Sequence, residues 1–314
     1  MARNIKYAID MITLYEPSWW GLTKWRDFAD RKSLPPEKFW HTALDAIAET
    51  GADGIRTTFG PSHWLNALEY FGSGEKFREQ LANRGLELAA GFYVEVGHGN
   101  ILDPARQAEI IEEVGRYADF LKAAGSEIMV VGFPHRKSWN DATPLFVDLD
   151  YARTLADLCN RIGYETLKRG VKMAIHPKTE GTLWLKRDID LFLLLTDPIY
   201  VWFCPDTCHM SLGGSDVVQI LREHRDRVCI ADWKDAKGTV SRQIVKHENS
   251  LVSLHPYYAF VGEGDVDWKA WVGVLKDMQY KGWAVVELDA TKKPVEEIKQ
   301  ALAYIKTNLE PIYS

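Results

Sequence analysis

Cysteine is scarce in this 314-residue chain. Four residues, Cys159, Cys204, Cys208 and Cys229, are too few to staple a fold of this length with disulfides. Cys204 and Cys208 flank an aspartate, but no second pair completes a structural zinc site, so the thiols read as core or site-lining groups. Basic charge is not in excess either. Lys and Arg number 38 against 44 Asp and Glu, a formal net charge of −6. That balance argues against nucleic acid as a partner, because phosphate binding relies on a basic surface. No apolar run approaches the roughly 18 residues of a membrane span, and Asp10 interrupts the stretch where a secretory signal would be apolar throughout. A cytoplasmic protein with no membrane partner is the expectation. Low-complexity tracts and Pro/Ser linkers are missing too, so residues 1–314 are expected to form one domain.

What the chain does contain is a rhythm. Apolar runs fall at residues 5–12, 54–59, 86–94, 127–133, 171–176, 200–204, 228–232 and 283–288. Helix-like segments follow at 36–50, 62–84, 104–124, 149–169, 186–196, 216–223, 268–280 and 294–308. Leu155, Leu158, Ile162 and Leu167 keep one helical face, and Asp103-Pro104 places a cap before a proline in the first turn. Gly51, Gly85, Gly125, Gly170 and Gly282 each stand just before an apolar run, the expected helix stop ahead of a buried strand. Eight such units of about 39 residues predict an α/β fold, a (β/α)8 TIM barrel. A doubly wound open sheet fits less well. Its first loop would carry a glycine-rich phosphate fingerprint, whereas this one reads Tyr15-Glu16-Pro17-Ser18-Trp19-Trp20-Gly21.

Barrel enzymes place their chemistry at the C-terminal strand ends. Those ends supply Arg56, then Glu95 and His98, then His135 and Arg136, with Lys178 and Glu180 after the fifth strand. In the second half of the chain, His176, Asp206, Asp232 and Glu287 close four consecutive strands. One imidazole with three carboxylates suits Mn²⁺, Co²⁺, Mg²⁺ or Zn²⁺, and the lack of thiolates disfavours softer ions. Four such ligands against a 2+ ion leave a net −1, which Lys234 could offset.

Phe203-Cys204-Pro205-Asp206-Thr207-Cys208-His209-Met210 resembles the D-T-x-H segment of the sugar phosphate isomerase/epimerase family, the xylose isomerase-like barrels. Ile175-His176-Pro177 resembles the strand-five motif of its inosose dehydratase branch. Ile230-Ala231-Asp232-Trp233-Lys234-Asp235 resembles the H-x-K-D strand seven, and Val261-Gly262-Glu263-Gly264-Asp265-Val266-Asp267-Trp268 the G-x-G-x-V-D-W loop before Val286-Glu287. The resemblance is good over roughly residues 170–290 and rests on rhythm alone before that. It implies a single divalent ion, Mn²⁺ first, on His176, Asp206, Asp232 and Glu287. His176 stands where the epimerases have glutamate and Asp232 where they have histidine, so the sum of ligand types is unchanged.

The implied chemistry is proton abstraction beside a carbonyl through an enediolate, with Glu287, Lys234 and His209 as catalytic residues. His209, Lys234, Arg56, Glu95 and Trp20 are expected to contact substrate, Trp20 within an aromatic wall of Tyr15, Trp19 and Trp25. Epimerisation needs an acid/base group on each face, and histidine at strand five removes one of them. Isomerase or epimerase and β-elimination lyase therefore stand level, unless Glu180 restores the second base. The substrate is expected to be a sugar, keto-sugar or cyclitol, neutral because no Lys/Arg cluster follows strands seven and eight. A metal-dependent hydrolase of the endonuclease IV kind and a non-catalytic sugar-binding barrel are the alternatives. Residues 237–260, without periodicity but rich in His and Tyr, are expected to form a lid or interface loop. A homo-oligomer is compatible with the sequence.

Overall fold

Eight short strands run parallel around a ring in the computed structural model, which describes residues 4–136, 145–240, 254–289 and 291–313. They are β1 Ile5–Asp10, β2 Gly54–Thr57, β3 Glu87–Tyr93, β4 Ile128–Gly132, β5 Lys172–His176, β6 Val201–Phe203, β7 Ile230–Trp233 and β8 Gly282–Val286. Each lies within one of the eight apolar runs, apart from one residue at the end of β7 and one at the start of β8. Seven neighbouring pairs, including β8 with β1, are hydrogen-bonded ladders. The eighth seam, β6 to β7, closes through two single bridges, Phe203 to Val228 and Asp206 to Asp232. Pro205 sits between those bridges and has no N–H to donate.

Alternation along the strands decides what enters the barrel. Tyr7, Ile9, Met173, Ile175, Ala231, Trp233, Ala284 and Val286 pack outward in the large core shared with the helices. Ala8, Ala174, Ile230 and Val285 form a smaller cluster with Ala89, Ala90, Val130 and Cys204 inside the ring. Continuing the same parity by one step turns Asp10, His176, Asp232 and Glu287 inward at the strand ends.

The helices follow the predicted segments with two differences. Residues 62–84 divide into Trp64–Phe71 and Gly74–Ala82, because Gly72 adopts φ 84° and Ser73 caps the second helix by accepting from Lys76 N. A further short helix, Thr207–Leu212, starts directly on Asp206. Gly51, Gly85, Gly125 and Gly170 end helices with positive φ, but Gly282 does not: it opens β8, and Gln279 supplies the left-handed turn at φ 51°. Of the expected lid, residues 241–253 lie outside the described residues. Its flanks form a two-residue antiparallel ribbon, Asp235–Ala236 with Tyr258–Ala259. No helix among the described residues is long and apolar enough to cross a membrane.

Candidate active site

A cavity of about 260 Å³ opens at the C-terminal ends of the strands. Its floor is an arginine. Arg56, projecting from β2, is 1% exposed, and its guanidinium divides among three strands. Nε donates to Asp10 Oδ2 at 2.5 Å, Nη1 to Asp232 Oδ1 at 2.5 Å and Nη2 to Glu287 Oε2 at 2.7 Å. Burial opposes charge on Arg56, but Asp232, Asp10 and Glu287 outweigh it and hold the group firmly cationic. Burial likewise favours a neutral Asp232, yet Arg56 and His176 keep that carboxyl well below its ordinary range.

Beside this fork lie buried polar atoms with no hydrogen-bond partner outside their own group: His176 Nδ1 and Nε2, Asp206 Oδ2 and Asp232 Oδ2. His176 Nε2 is 2.9 Å from Asp232 Oδ2 and 3.5 Å from Asp206 Oδ2. Burial disfavours a charged imidazole there, but the two carboxylates prevail and lift His176 to about 9. The same carboxylate field would attract a metal cation. One imidazole nitrogen and two carboxylate oxygens, all within 4.8 Å of one another, are a donor set suited to a hard or borderline divalent ion. Asp206 also groups within 4.8 Å with His209 and Glu287. Asp206 divides its labour: Oδ1 caps the Thr207–Leu212 helix by accepting from His209 N at 2.6 Å, leaving Oδ2 unclaimed.

The two lysines behave differently. Lys234 is fully buried and does not line the cavity. Its Nζ donates to Glu287 Oε1 at 2.9 Å and to Asp289, and it lies 3.9 Å over the Tyr258 ring. Burial disfavours its charge, but Asp289 and Glu287 hold it well above the ordinary lysine range. Of the two, Lys178 is the one that lines the cavity, and burial pushes its amine down. Glu287 lines the cavity, and burial pushes its carboxyl up to about 8 against the pull of Lys234. Burial, with Lys234 and His176 nearby, drives His209 far below its ordinary range, so it stays neutral. Its Nδ1 is 2.8 Å from Thr179 Oγ1. His135, also lining the cavity, is pushed down by burial to about 4.

Of the sequence candidates, the fold gathers His176, Asp206, Asp232, Glu287, His209 and Arg56 into one site. Trp20 is elsewhere. Its Nε1 donates to Leu14 O at 2.6 Å, and its ring packs on Trp19 and Phe39 in a hydrophobic cluster away from the cavity. Glu95 sits on the shoulder with Arg106 at 3.2 Å and His98 at 3.4 Å, outside the lining. Glu180 is outside it too. Lys234 and Asp235 do not form the surface ion pair that their adjacency allows. Asp235 instead accepts from Gly262 N, Val266 N and Trp268 Nε1 at 2.9, 3.1 and 2.6 Å, anchoring the loop that precedes the Trp268–Asp277 helix. Asp10 is a site residue that the strand-end reading misses, although its inward parity at the end of β1 is the available signal. Tyr258, which lines the cavity, belongs to the 237–260 segment expected to act as a lid or interface loop.

Residues 44–308 match the family described as Xylose isomerase-like TIM barrel. An inosose dehydratase from Clostridium perfringens is 26% identical over 248 residues, covering 75% of this chain and 82% of that protein. Another, from Clostridium botulinum, is 24% identical over 288 residues, covering 88% and 92%. Solved structures of like fold include the probable 3-DHS dehydratase AsbF of Bacillus anthracis, with TM-score 0.71 and 12% identity over 97% of this chain and 100% of that one. An L-ribulose 3-epimerase gives 0.69 and 14% over 98% and 95%, and the IOLI protein, solved with a zinc atom, 0.68 and 16% over 99% and 98%. At these identities the structures speak for the fold alone. By the extent of the family match, the chain belongs to the xylose isomerase-like TIM barrels.

Proposed function

We propose that this chain is a divalent-metal-dependent carbohydrate lyase. It would remove the proton α to the carbonyl of a keto-sugar or keto-cyclitol and release water or an alcohol from the β-carbon. The observation that carries this reading is the convergence of His176 Nε2, Asp206 Oδ2 and Asp232 Oδ2, buried and partnered only with one another, beside a cavity that also holds a neutral histidine. The inosose dehydratase relatives support the lyase over other outcomes. His176, Asp206 and Asp232 would hold Mn²⁺, Co²⁺ or Zn²⁺. Such an ion supplies Lewis-acid stabilisation of the oxygen charge that develops on enolisation.

The chain's own groups do the rest. With Nδ1–H given to Thr179 Oγ1, His209 keeps a lone pair on Nε2 and takes the α-proton. Glu287, held as a carboxylate between Arg56 and Lys234 at rest, has its proton affinity raised by burial, so it picks up a proton and passes it to the departing oxygen. Lys178 offers an ammonium to the substrate oxygens. Lys234 touches no substrate; it holds Glu287 and Asp289 in place. His209 and Glu287 share the Asp206 neighbourhood, so proton removal and delivery come from one side. Phe59, Phe92, Val94 and Phe133 line the cavity without acid/base chemistry. That arrangement favours elimination. Epimerisation is the second reading, favoured by His135, which follows β4 across the barrel from β8.

The test is incubation of Mn²⁺-loaded protein with inososes, 3-keto-glycosides and ketohexoses in D₂O. Loss of water or alcohol with an enone or diketone product is expected. Deuterium uptake without loss assigns the epimerase, and neither outcome with any of these substrates removes the reading.

A further inference from the structure

We propose that Arg56 withdraws Glu287 from the metal, so that this barrel holds its ion through His176, Asp206 and Asp232 only and keeps the guanidinium as a second, permanent cation. The inference rests on reading the three converging side chains as a divalent-metal site. It departs from the four-ligand set that the strand-end pattern implies.

Four observations lead there. First, the unclaimed atoms belong to His176, Asp206 and Asp232 and to none of Glu287. Both Glu287 oxygens are engaged, Oε2 by Arg56 at 2.7 Å and Oε1 by Lys234 at 2.9 Å. Second, Asp232 is divided between two duties. Oδ1 receives Arg56 Nη1 at 2.5 Å and the Cys204 thiol at 3.4 Å, while Oδ2 faces His176. Third, a guanidinium cannot shed its proton, and its fork fixes direction. If Glu287 turned to an ion, it would leave a 1%-exposed arginine one partner short, a costly state for a buried charge. Fourth, the charge balances. Two carboxylates and a neutral imidazole cancel a 2+ ion, whereas adding Glu287 leaves −1 and strips Arg56 and Lys234 of a shared counterion. A carboxylate kept off the ion also remains basic enough to carry protons.

The experiment uses Co²⁺ as the probe on chelator-stripped full-length protein, read by visible absorption and by calorimetric titration. Glu287→Gln is expected to reproduce the wild-type Co²⁺ spectrum and to weaken binding by no more than about tenfold, the lower range for a residue that only orients ligands. Asp206→Asn and His176→Gln should exceed about 100-fold. Arg56→Gln releases Glu287 and should alter the spectrum, as a fourth ligand enters. A Glu287→Gln spectrum that differs from wild type, or a loss of affinity equal to that of Asp206→Asn, overturns the inference while leaving the metal reading intact. Wild-type protein that takes up no Co²⁺ overturns both. Glu287→Gln decides the matter even if Arg56→Gln fails to fold.

Discussion

Lys234 and Lys178 have opposite relations to their surroundings, and removing each should have opposite consequences. Lys234 is the counterion of two buried carboxylates. Lys234→Met would leave Glu287 and Asp289 with too little positive charge and should cost about 3–5 kcal/mol in urea unfolding, the range for breaking a buried pair from one side. Lys178 makes no ion pair among the described residues and faces the cavity. Lys178→Met should change stability by less than about 0.5 kcal/mol, yet lower turnover of a keto-sugar about 100-fold if its ammonium steadies oxygen charge. Equal effects of the two substitutions on stability would contradict the assignment. Strand-end position was enough to group His176, Asp206, Asp232 and Glu287 from the sequence, because each stands at or beside the end of a run whose alternation turns it inward. The partners of Arg56 were not legible. A side chain long enough to cross from β2 to β1, β7 and β8 chooses among them only once the ring has closed.

At the scale of elements, the loop before the Trp268–Asp277 helix shows why a glycine-rich motif accompanies the site. Asp235 follows β7, and its carboxylate gathers three donors from that loop. A Cβ on Gly264 would lie 2.2 Å from Asp235 Oδ1 and 2.4 Å from Ala236 O, and one on Gly262, at φ +97°, would meet the Tyr304 ring at 2.6 Å. Gly264→Ala must therefore push the carboxylate out of its bonds. The expected cost is about 1–3 kcal/mol, as for overpacking in a core. Because Asp235 immediately follows Lys234, Co²⁺ affinity should also fall, and a variant of unchanged stability would show that the loop yields without strain. The strands were legible because buried parallel strands are short apolar runs. The division of residues 62–84 was harder to read, since Gly72 sits within an apolar stretch that keeps a helical period on both sides. Gly282 misled for a related reason: it precedes a strand, but Gln279 makes the turn.

For the whole molecule, the weakest closure and the proposed ion coincide. Seven seams are ladders, and the eighth is held by two bridges, one of which pairs Asp206 with Asp232. Thr207 reinforces it, donating to Lys234 O at 2.6 Å and accepting from Lys234 N at 3.1 Å. A cation shared by Asp206 and Asp232 would clasp β6 to β7 and offset two carboxylates that face each other across the gap. Binding to the folded state alone at 100 times Kd adds about 2.7 kcal/mol, which for a chain of 314 residues corresponds to a rise of about 4 °C in Tm. Calorimetry of EDTA-stripped protein with and without Mn²⁺ or Zn²⁺ measures that rise. Amide exchange locates it: new protection should concentrate at the ends of β6 and β7 and spare β2 to β4, whose ladders are already complete. A rise in Tm with protection spread evenly around the ring would place the ion somewhere other than this seam.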